Sequence, residues 1–164
     1  MCGGTITGYE TIASPVLYGS HLIEYPDNTD CVWNIELGDD VFGFNIVRKS
    51  FSVEEHSRCA WDYVRLETSD YEVNFCGESG ENRNAANDEK EEEGKYTPDQ
   101  VNPRPDGFPE NWYIHGGSAV ITFHSNYFVR RAGFEFELTK MTRSQIITYH
   151  AEVSFSHFRY LTNV

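Results

Sequence analysis

Two acidic residues, Glu54 and Asp62, lie on either side of Cys59, and the strand-like run from Tyr63 follows them directly. A hard cation needs several oxygen ligands that a short, stiff backbone brings together. A disulfide at Cys59 would supply that stiffness, because it would pin the loop between the two acids. The alternative interpretation is that both acids are solvated on a surface loop, as most Asp and Glu residues are.

The elements that position these acids are predicted to be strands. A chain of 164 residues is expected to form one domain, or one domain with appendages, and can bury a sound core. Tyr and Phe far outnumber Met, Gly and Pro interrupt the chain often, and sustained helical periodicity is absent. This combination favours an all-β sandwich or barrel.

Charge and motifs exclude several classes of function. The formal net charge of −13 argues against a nucleic-acid or anionic-membrane partner, since both require a basic face. No apolar run is long enough to span a membrane. The sequence has no Gly-x-Ser-x-Gly elbow, His-Glu-x-x-His motif or phosphate-binding loop. His56 and His124 are expected near acidic loops, without a catalytic role. We therefore expect a segment that is not an enzyme by itself.

The chain has four cysteines, Cys2, Cys31, Cys59 and Cys76, and no pair has the CxxC spacing of a zinc site. An even number of widely spaced cysteines in a β-rich chain predicts two disulfides and an oxidising, extracellular compartment. Spacing alone leaves all three connectivities open. Met1 directly precedes Cys2, so we interpret it as a start residue added to an excised or mature segment.

A series of ordered motifs resembles the CUB domain. The series is Cys2-Gly-Gly, Ile12-x-Ser-Pro, Tyr25-Pro, Cys31-x-Trp-x-Ile, Phe51-x-x-Glu, Cys59-x-x-Asp-Tyr-Val, Cys76-Gly, Ala119 to Asn126 and Ala132 to Phe136. CUB domains are extracellular jelly-roll β-sandwiches of two mostly antiparallel sheets. The resemblance covers residues 2–139 and implies the disulfides Cys2–Cys31 and Cys59–Cys76.

The resemblance also implies a calcium site. Calcium-binding CUB domains place a Tyr, a Glu and two Asp residues at positions that correspond here to Tyr25, Glu54, Asp62 and Asn126. Asn126 can still offer an oxygen, but it removes one negative charge, so weak affinity is expected. Tyr25 is expected to orient a carboxylate by hydrogen bonding. The resemblance further implies that a Lys or Arg of a partner would bind at Tyr25, Glu54 and Asp62.

Two segments depart from the family pattern. Residues from about 78 to 115 form a long insertion that is polar and acidic, which predicts a solvated, flexible loop. A second interpretation is that Glu89 to Glu93 attract a basic partner. Residues 140–164 form a C-terminal extension in which apolar and polar residues alternate from Ile147 to Phe155, which predicts a strand. That strand would extend a sheet edge, pair between chains, or begin a second module.

Together these features predict a secreted, non-catalytic recognition module. Its expected partner is an extracellular protein with an exposed Lys or Arg, or a glycan, bound at acidic loops that calcium organises. One rival hypothesis is a substrate-positioning domain of a secreted protease. Another is a structural or matrix protein that assembles through residues 147–155.

Overall fold

The protein, represented by a computed structural model, is described over residues 2–79 and 103–148. In chain order its strands are β1 (Gly4–Ile6), β2 (Thr11–Ala13), β3 (Asp30–Glu36), β4 (Gly43–Val53), β5 (Tyr63–Glu67), β6 (Glu72–Phe75), β7 (Gly77–Ser79), β8 (Asn111–His115), β9 (Ser118–His124) and β10 (Gly133–Lys140). A short helix, α1, covers residues 143–148. No helix in these two ranges is long and apolar enough to cross a membrane.

The strands form two sheets. One sheet has the order β1-β3-β9-β5-β6, and the other has the order β2-β10-β4-β7, with β8 also paired to β4. The pairing of β1 with β3 is parallel, and the other strand pairs are antiparallel. The prediction of a β-sandwich with two mostly antiparallel sheets is therefore confirmed.

The core lies between the inner faces of the sheets. Buried and exposed residues alternate along β3, so that Cys31, Trp33 and Ile35 point inward. This period of two is the pattern of a strand that has one face in the core. Phe136 of β10 is fully buried, and its ring lies 4.4 Å from that of Phe108. Aromatic rings therefore fill much of the space between the sheets.

The two ends of the predicted insertion belong to the sandwich. Strand β7 pairs with β4, and Arg104 bridges to Phe75. Phe108 and Trp112 are buried, as expected for residues that return the chain to packed structure. The predicted flexible loop therefore does not include residues 78–79 or 103–115. The acidic run from Glu89 to Glu93 lies outside the described residues.

The C-terminal extension begins differently from the prediction. Ile147 and Thr148 belong to helix α1, so the predicted strand is wrong for these two positions. The helix begins with a capping box: the Gln145 N–H donates to Thr142 Oγ1 at 3.2 Å, and the Thr142 N–H donates to Gln145 Oε1 at 2.8 Å. This Thr-x-x-Gln signal is present in the sequence. The remainder of the predicted strand, through Phe155, lies outside the described residues.

Gly77 is required where the chain leaves β6. Its φ is +86°, and an added Cβ would collide with the carbonyl oxygen of Pro105. We expect Gly77→Ala to lower the free energy of unfolding by about 3 kcal/mol or more, because backbone strain and a backbone clash add. Gly116→Ala is the matched control: its φ is +82°, but no atom lies within 4 Å of the added Cβ. This control should cost only about 1 kcal/mol in urea unfolding. Equal losses in the two variants would contradict the assignment of the clash.

Candidate functional site

Three loops meet at one end of the sandwich. Strand β9 pairs with both β3 and β5, and His124 at its end lies opposite Asp30 and Tyr63. The loops that precede β3 and β5 and the loop that follows β9 therefore converge. We call this region the acidic loop end and define it as residues 25–29, 54–62 and 125–132. It contains all four predicted calcium-site residues.

Hydrogen bonds connect these four residues into one cluster. The Tyr25 hydroxyl donates to Asp62 Oδ2 at 2.6 Å and accepts from the Glu54 backbone N–H at 3.1 Å. The Asn126 backbone N–H donates to Asp62 Oδ1 at 2.7 Å. Asp62 thus holds together residues from two loops, and Tyr25 orients it, as the resemblance implies.

The two carboxyl groups of the cluster are buried, and one of their oxygens has no hydrogen-bond partner. Asp62 is 0% exposed and Glu54 is 5% exposed. Glu54 Oε2 is buried without a hydrogen-bond partner. Burial and the nearby Asp62 carboxylate raise the pKa of Glu54, whereas Arg131 and a hydrogen bond from the Asn126 side chain lower it by less. Two close carboxylates, one of which has a free buried oxygen, favour the approach of a cation.

Tyr25 acts as a neutral donor at this site. Its ring is 1% exposed and lies edge-on to Phe123, with the ring centroids 5.1 Å apart. Burial and the hydrogen bond to Asp62 raise the pKa of the phenol well above its usual value. The hydroxyl therefore keeps its proton across the physiological pH range and can donate a hydrogen bond to the Asp62 carboxylate.

The chain itself also ties the loops together. Ser125 Oγ donates to the Pro26 carbonyl oxygen at 2.7 Å and accepts from the Thr29 N–H at 3.1 Å. The Arg130 guanidinium forms a two-point ion pair with Asp27 at 2.8 and 2.7 Å. These contacts join the first and third loops directly. The sequence reasoning did not identify these contacts.

The disulfides have the implied pairing. Cys59 is bonded to Cys76 and Cys2 to Cys31. Cys59 has a φ of +47° in the loop between Glu54 and Asp62. The same loop is shaped by His56, whose Nδ1 accepts from the N–H groups of residues 58 and 60 at 3.1 and 3.2 Å. His56 is therefore a structural residue of the acidic loop end.

The exposed surface of the acidic loop end differs from the prediction. Tyr25, Glu54 and Asp62 were expected to meet a partner directly, but all three are buried. Both oxygens of Asp62 already accept hydrogen bonds from the protein. A direct contact of Asp62 with a partner would therefore require the cluster to open. Glu54 Oε2 is buried as well, but it has no hydrogen-bond partner.

The donor set fits calcium only partly. Carboxylate and amide oxygens are suitable ligands for this hard cation. Within residues 2–79 and 103–148, however, no group of three or more His, Cys, Asp or Glu side chains could hold a metal ion. Asn126 Oδ1 also accepts the Phe128 N–H at 2.9 Å. Glu54 and Asp62 therefore provide the only carboxylates of the predicted set, which is consistent with a weak site at most.

Comparison with known proteins identifies the family. The family model described as the CUB domain matches residues 2–91. Tolloid-like protein 2 from Mus musculus is 33% identical over 82 residues, which are 47% of this chain and 8% of that protein. Ovochymase from Halocynthia roretzi is 26% identical over 167 residues, covering 95% of this chain and 9% of that protein. The chain thus spans only about a tenth of the length of these relatives.

Solved structures show the same fold. The calcium-bound CUB2 domain of MASP-1 has a TM-score of 0.58 at 19% identity, over 85% of this chain and 99% of that domain. The extracellular region of zebrafish Gpr126/Adgrg6 has a TM-score of 0.59 at 20% identity, over 86% of this chain and 15% of that one. The CUB domain is a non-catalytic protein-binding module that occurs in extracellular proteins. On the match to the family model and this shared architecture, the chain belongs to the CUB domain family.

Proposed function

We propose that this chain is an extracellular recognition module whose acidic loop end binds a basic side chain of a partner protein. The observation that carries this proposal is the free, buried Glu54 Oε2 beside the buried Asp62 carboxylate. A buried carboxylate without a partner is costly, and a cation that reaches it recovers a charge-assisted hydrogen bond. Glu54 is the residue that contacts the cation, while Asp62 and Tyr25 hold the loops that carry it.

The same residues support weak calcium binding. Glu54 and Asp62 would hold the ion, with Asn126 as an amide oxygen donor. Bound calcium would neutralise the two neighbouring carboxylates. With only two carboxylates, we expect a dissociation constant on the order of 10⁻³ M, at the weak end of the range for extracellular modules. The likeness to a calcium-bound CUB structure shows the shared fold, and the oxygen chemistry of this chain supports the site.

Calcium should stabilise the protein through Glu54. At about 10 mM calcium, a site with a dissociation constant of about 1 mM stabilises the folded state by about 1.4 kcal/mol, or about 3 °C in melting temperature. Glu54→Gln should abolish both this shift and the heat of binding in calorimetry. The matched control is Glu55→Gln, which removes an exposed carboxylate next to the site and should keep the shift. If calcium shifts the melting temperature of neither protein, or shifts wild type and Glu54→Gln equally, the metal proposal fails.

The raised pKa of Glu54 predicts the direction of the pH dependence. A carboxyl whose pKa is higher in the folded state binds its proton more tightly there than in the unfolded chain. Without calcium, ionised Glu54 therefore lowers the free energy of unfolding at pH values above its folded-state pKa. This destabilisation disappears at pH values below its unfolded-state pKa. The melting temperature of wild type relative to Glu54→Gln should rise as the pH falls from about 7 to about 4. Calcium competes with the proton, so its stabilisation should fall over the same interval.

Loss of partner binding is the direct test of the recognition function. Binding to a lysine-containing peptide should weaken by about tenfold or more in Glu54→Gln, because a charge-assisted contact is removed. It should also weaken with salt if the basic side chain remains partly solvated. Equal binding of peptides with Lys and with Gln would overturn the proposed role of Glu54.

A further inference from the structure

The exposed face of the acidic loop end carries large aromatic side chains. Tyr127 is 70% exposed and Phe128 is 75% exposed, while Trp61 is 48% exposed. The exposure of large apolar side chains to water is unfavourable, and a group of them often marks an interaction surface. Trp and Tyr are also among the residues that contribute most to protein–protein binding.

Hydrogen bonds hold the backbone turn that carries Tyr127 and Phe128. The Phe128 N–H donates to Asn126 Oδ1 at 2.9 Å, which closes the turn that carries both rings. The carbonyl oxygen of Asn126 accepts the Asn28 N–H at 2.8 Å, so the turn is tied to the first loop. The rings of Tyr127 and Phe128 contact each other with centroids 5.5 Å apart. A surface ordered before binding loses less conformational entropy when a partner docks.

Trp61 and Tyr127 are chain neighbours of two residues of the acidic cluster. Trp61 directly precedes Asp62 in the chain, and its ring packs on His56 with centroids 4.4 Å apart. Tyr127 directly follows Asn126, whose N–H binds Asp62 at 2.7 Å. Trp61 and Tyr127 are thus sequence neighbours of the two residues, Asp62 and Asn126, that this hydrogen bond joins. The surface available to a partner therefore combines aromatic rings with an adjacent buried negative charge.

We propose that Trp61, Tyr127 and Phe128 form an aromatic contact surface for an extended segment of a partner protein that carries a large apolar residue next to a Lys or Arg. This inference rests on the proposed function, since the basic residue is the one that Glu54 receives. The net charge of −13 and the free Glu54 oxygen favour a basic protein segment over an anionic membrane. The apolar neighbour adds a contact that salt does not screen.

Four immobilised twelve-residue peptides test this division of roles, with the full 164-residue chain in solution. They carry Lys-Leu, Lys-Ser, Gln-Leu or Gln-Ser at their centre in an otherwise Gly-Ser sequence. Wild type should bind Lys-Leu about tenfold more tightly than Lys-Ser in biolayer interferometry, as a partly buried apolar side chain would provide. The double variant Tyr127→Ser with Phe128→Ser should lose the preference for Leu and keep the preference for Lys. Glu54→Gln should lose the preference for Lys and keep the preference for Leu.

The outcomes separate the two proposals. A preference for Leu over Ser that survives the double variant, or no such preference in wild type, overturns the aromatic surface. Absence of a Lys preference in wild type overturns the proposed function, even if the Leu preference persists. Two further measurements use the same double variant, namely flotation with phosphatidylcholine–phosphatidylserine vesicles and concentration-dependent mass. Vesicle binding or self-association that disappears in the double variant would assign the rings to a membrane or to a second copy, and would overturn the inference.

Discussion

Asp62→Ala should lower the free energy of unfolding by about 3–5 kcal/mol. The substitution leaves the Tyr25 hydroxyl and the Asn126 N–H without the acceptor that each now uses, at 2.6 and 2.7 Å. Each buried polar group that loses its partner costs about 1–3 kcal/mol, and Asp62 itself is 0% exposed. Urea unfolding followed by Trp fluorescence gives the measurement. A loss of less than about 1 kcal/mol would show that Asp62 does not hold the loops together.

Asp62→Asn is the matched control for this prediction. The amide keeps one oxygen that can accept the Asn126 N–H, so most of the stability should remain, with a loss of about 1–2 kcal/mol. The amide removes the charge that repels Glu54 and that, in the proposed site, would help to hold calcium. Asp62→Asn should therefore fold but lose the calcium-dependent melting shift. Retention of that shift would indicate that the metal, if bound, does not use the Asp62 charge.

The local patterns predicted the strands that surround the site. In β3, for example, one side chain in two points into the core. The association of Tyr25 with Glu54 and Asp62 came from the resemblance, since residues so distant in sequence meet only through the pairing of β3, β9 and β5. No periodicity within a single loop contains that information.

Burial within the acidic loop end was the main feature that the sequence did not reveal. Acidic residues in a loop are usually solvated, yet Glu54 is 5% exposed because the loops on either side fold over it. Tyr127 and Phe128 are exposed, although aromatic side chains are usually buried. Which side of a loop faces the solvent depends on contacts between loops, such as that of Arg130 with Asp27.

Alternation also failed at the start of the C-terminal extension. Ile147 begins a period-two pattern, but the capping box of Thr142 and Gln145 starts a helix that includes it. A local capping signal fixes the backbone of the first turn directly. The alternation of apolar residues, in contrast, indicates only which side chains would share a face if the segment formed a strand. The capping signal was the more informative of the two at this position.

Removal of the Cys59–Cys76 disulfide should affect both stability and binding. The bond closes a loop with a sequence separation of 17, and the chain-entropy model assigns it about 3 kcal/mol. Cys59 also keeps a left-handed backbone conformation, with a φ of +47°, three residues before Asp62. Without the bond, this strained conformation should relax and displace the Asp62 loop. We therefore expect Cys59→Ala with Cys76→Ala to lose about 3 kcal/mol and the calcium-dependent melting shift.

The Cys2–Cys31 disulfide provides the matched comparison, because its sequence separation of 29 predicts a similar entropic contribution of about 3.5 kcal/mol. It tethers β1, which among the described strands pairs only with β3, whereas β3 stays in place through its pairing with β9 along Asp30–Glu36. Cys2→Ala with Cys31→Ala should therefore lower stability as much as the other pair but keep the calcium shift and the preference for Lys. Thermal melts of each double variant, recorded with and without calcium, distinguish the two bonds. If both double variants lost calcium binding equally, the acidic loop end would depend on general stability and not on the Cys59 loop.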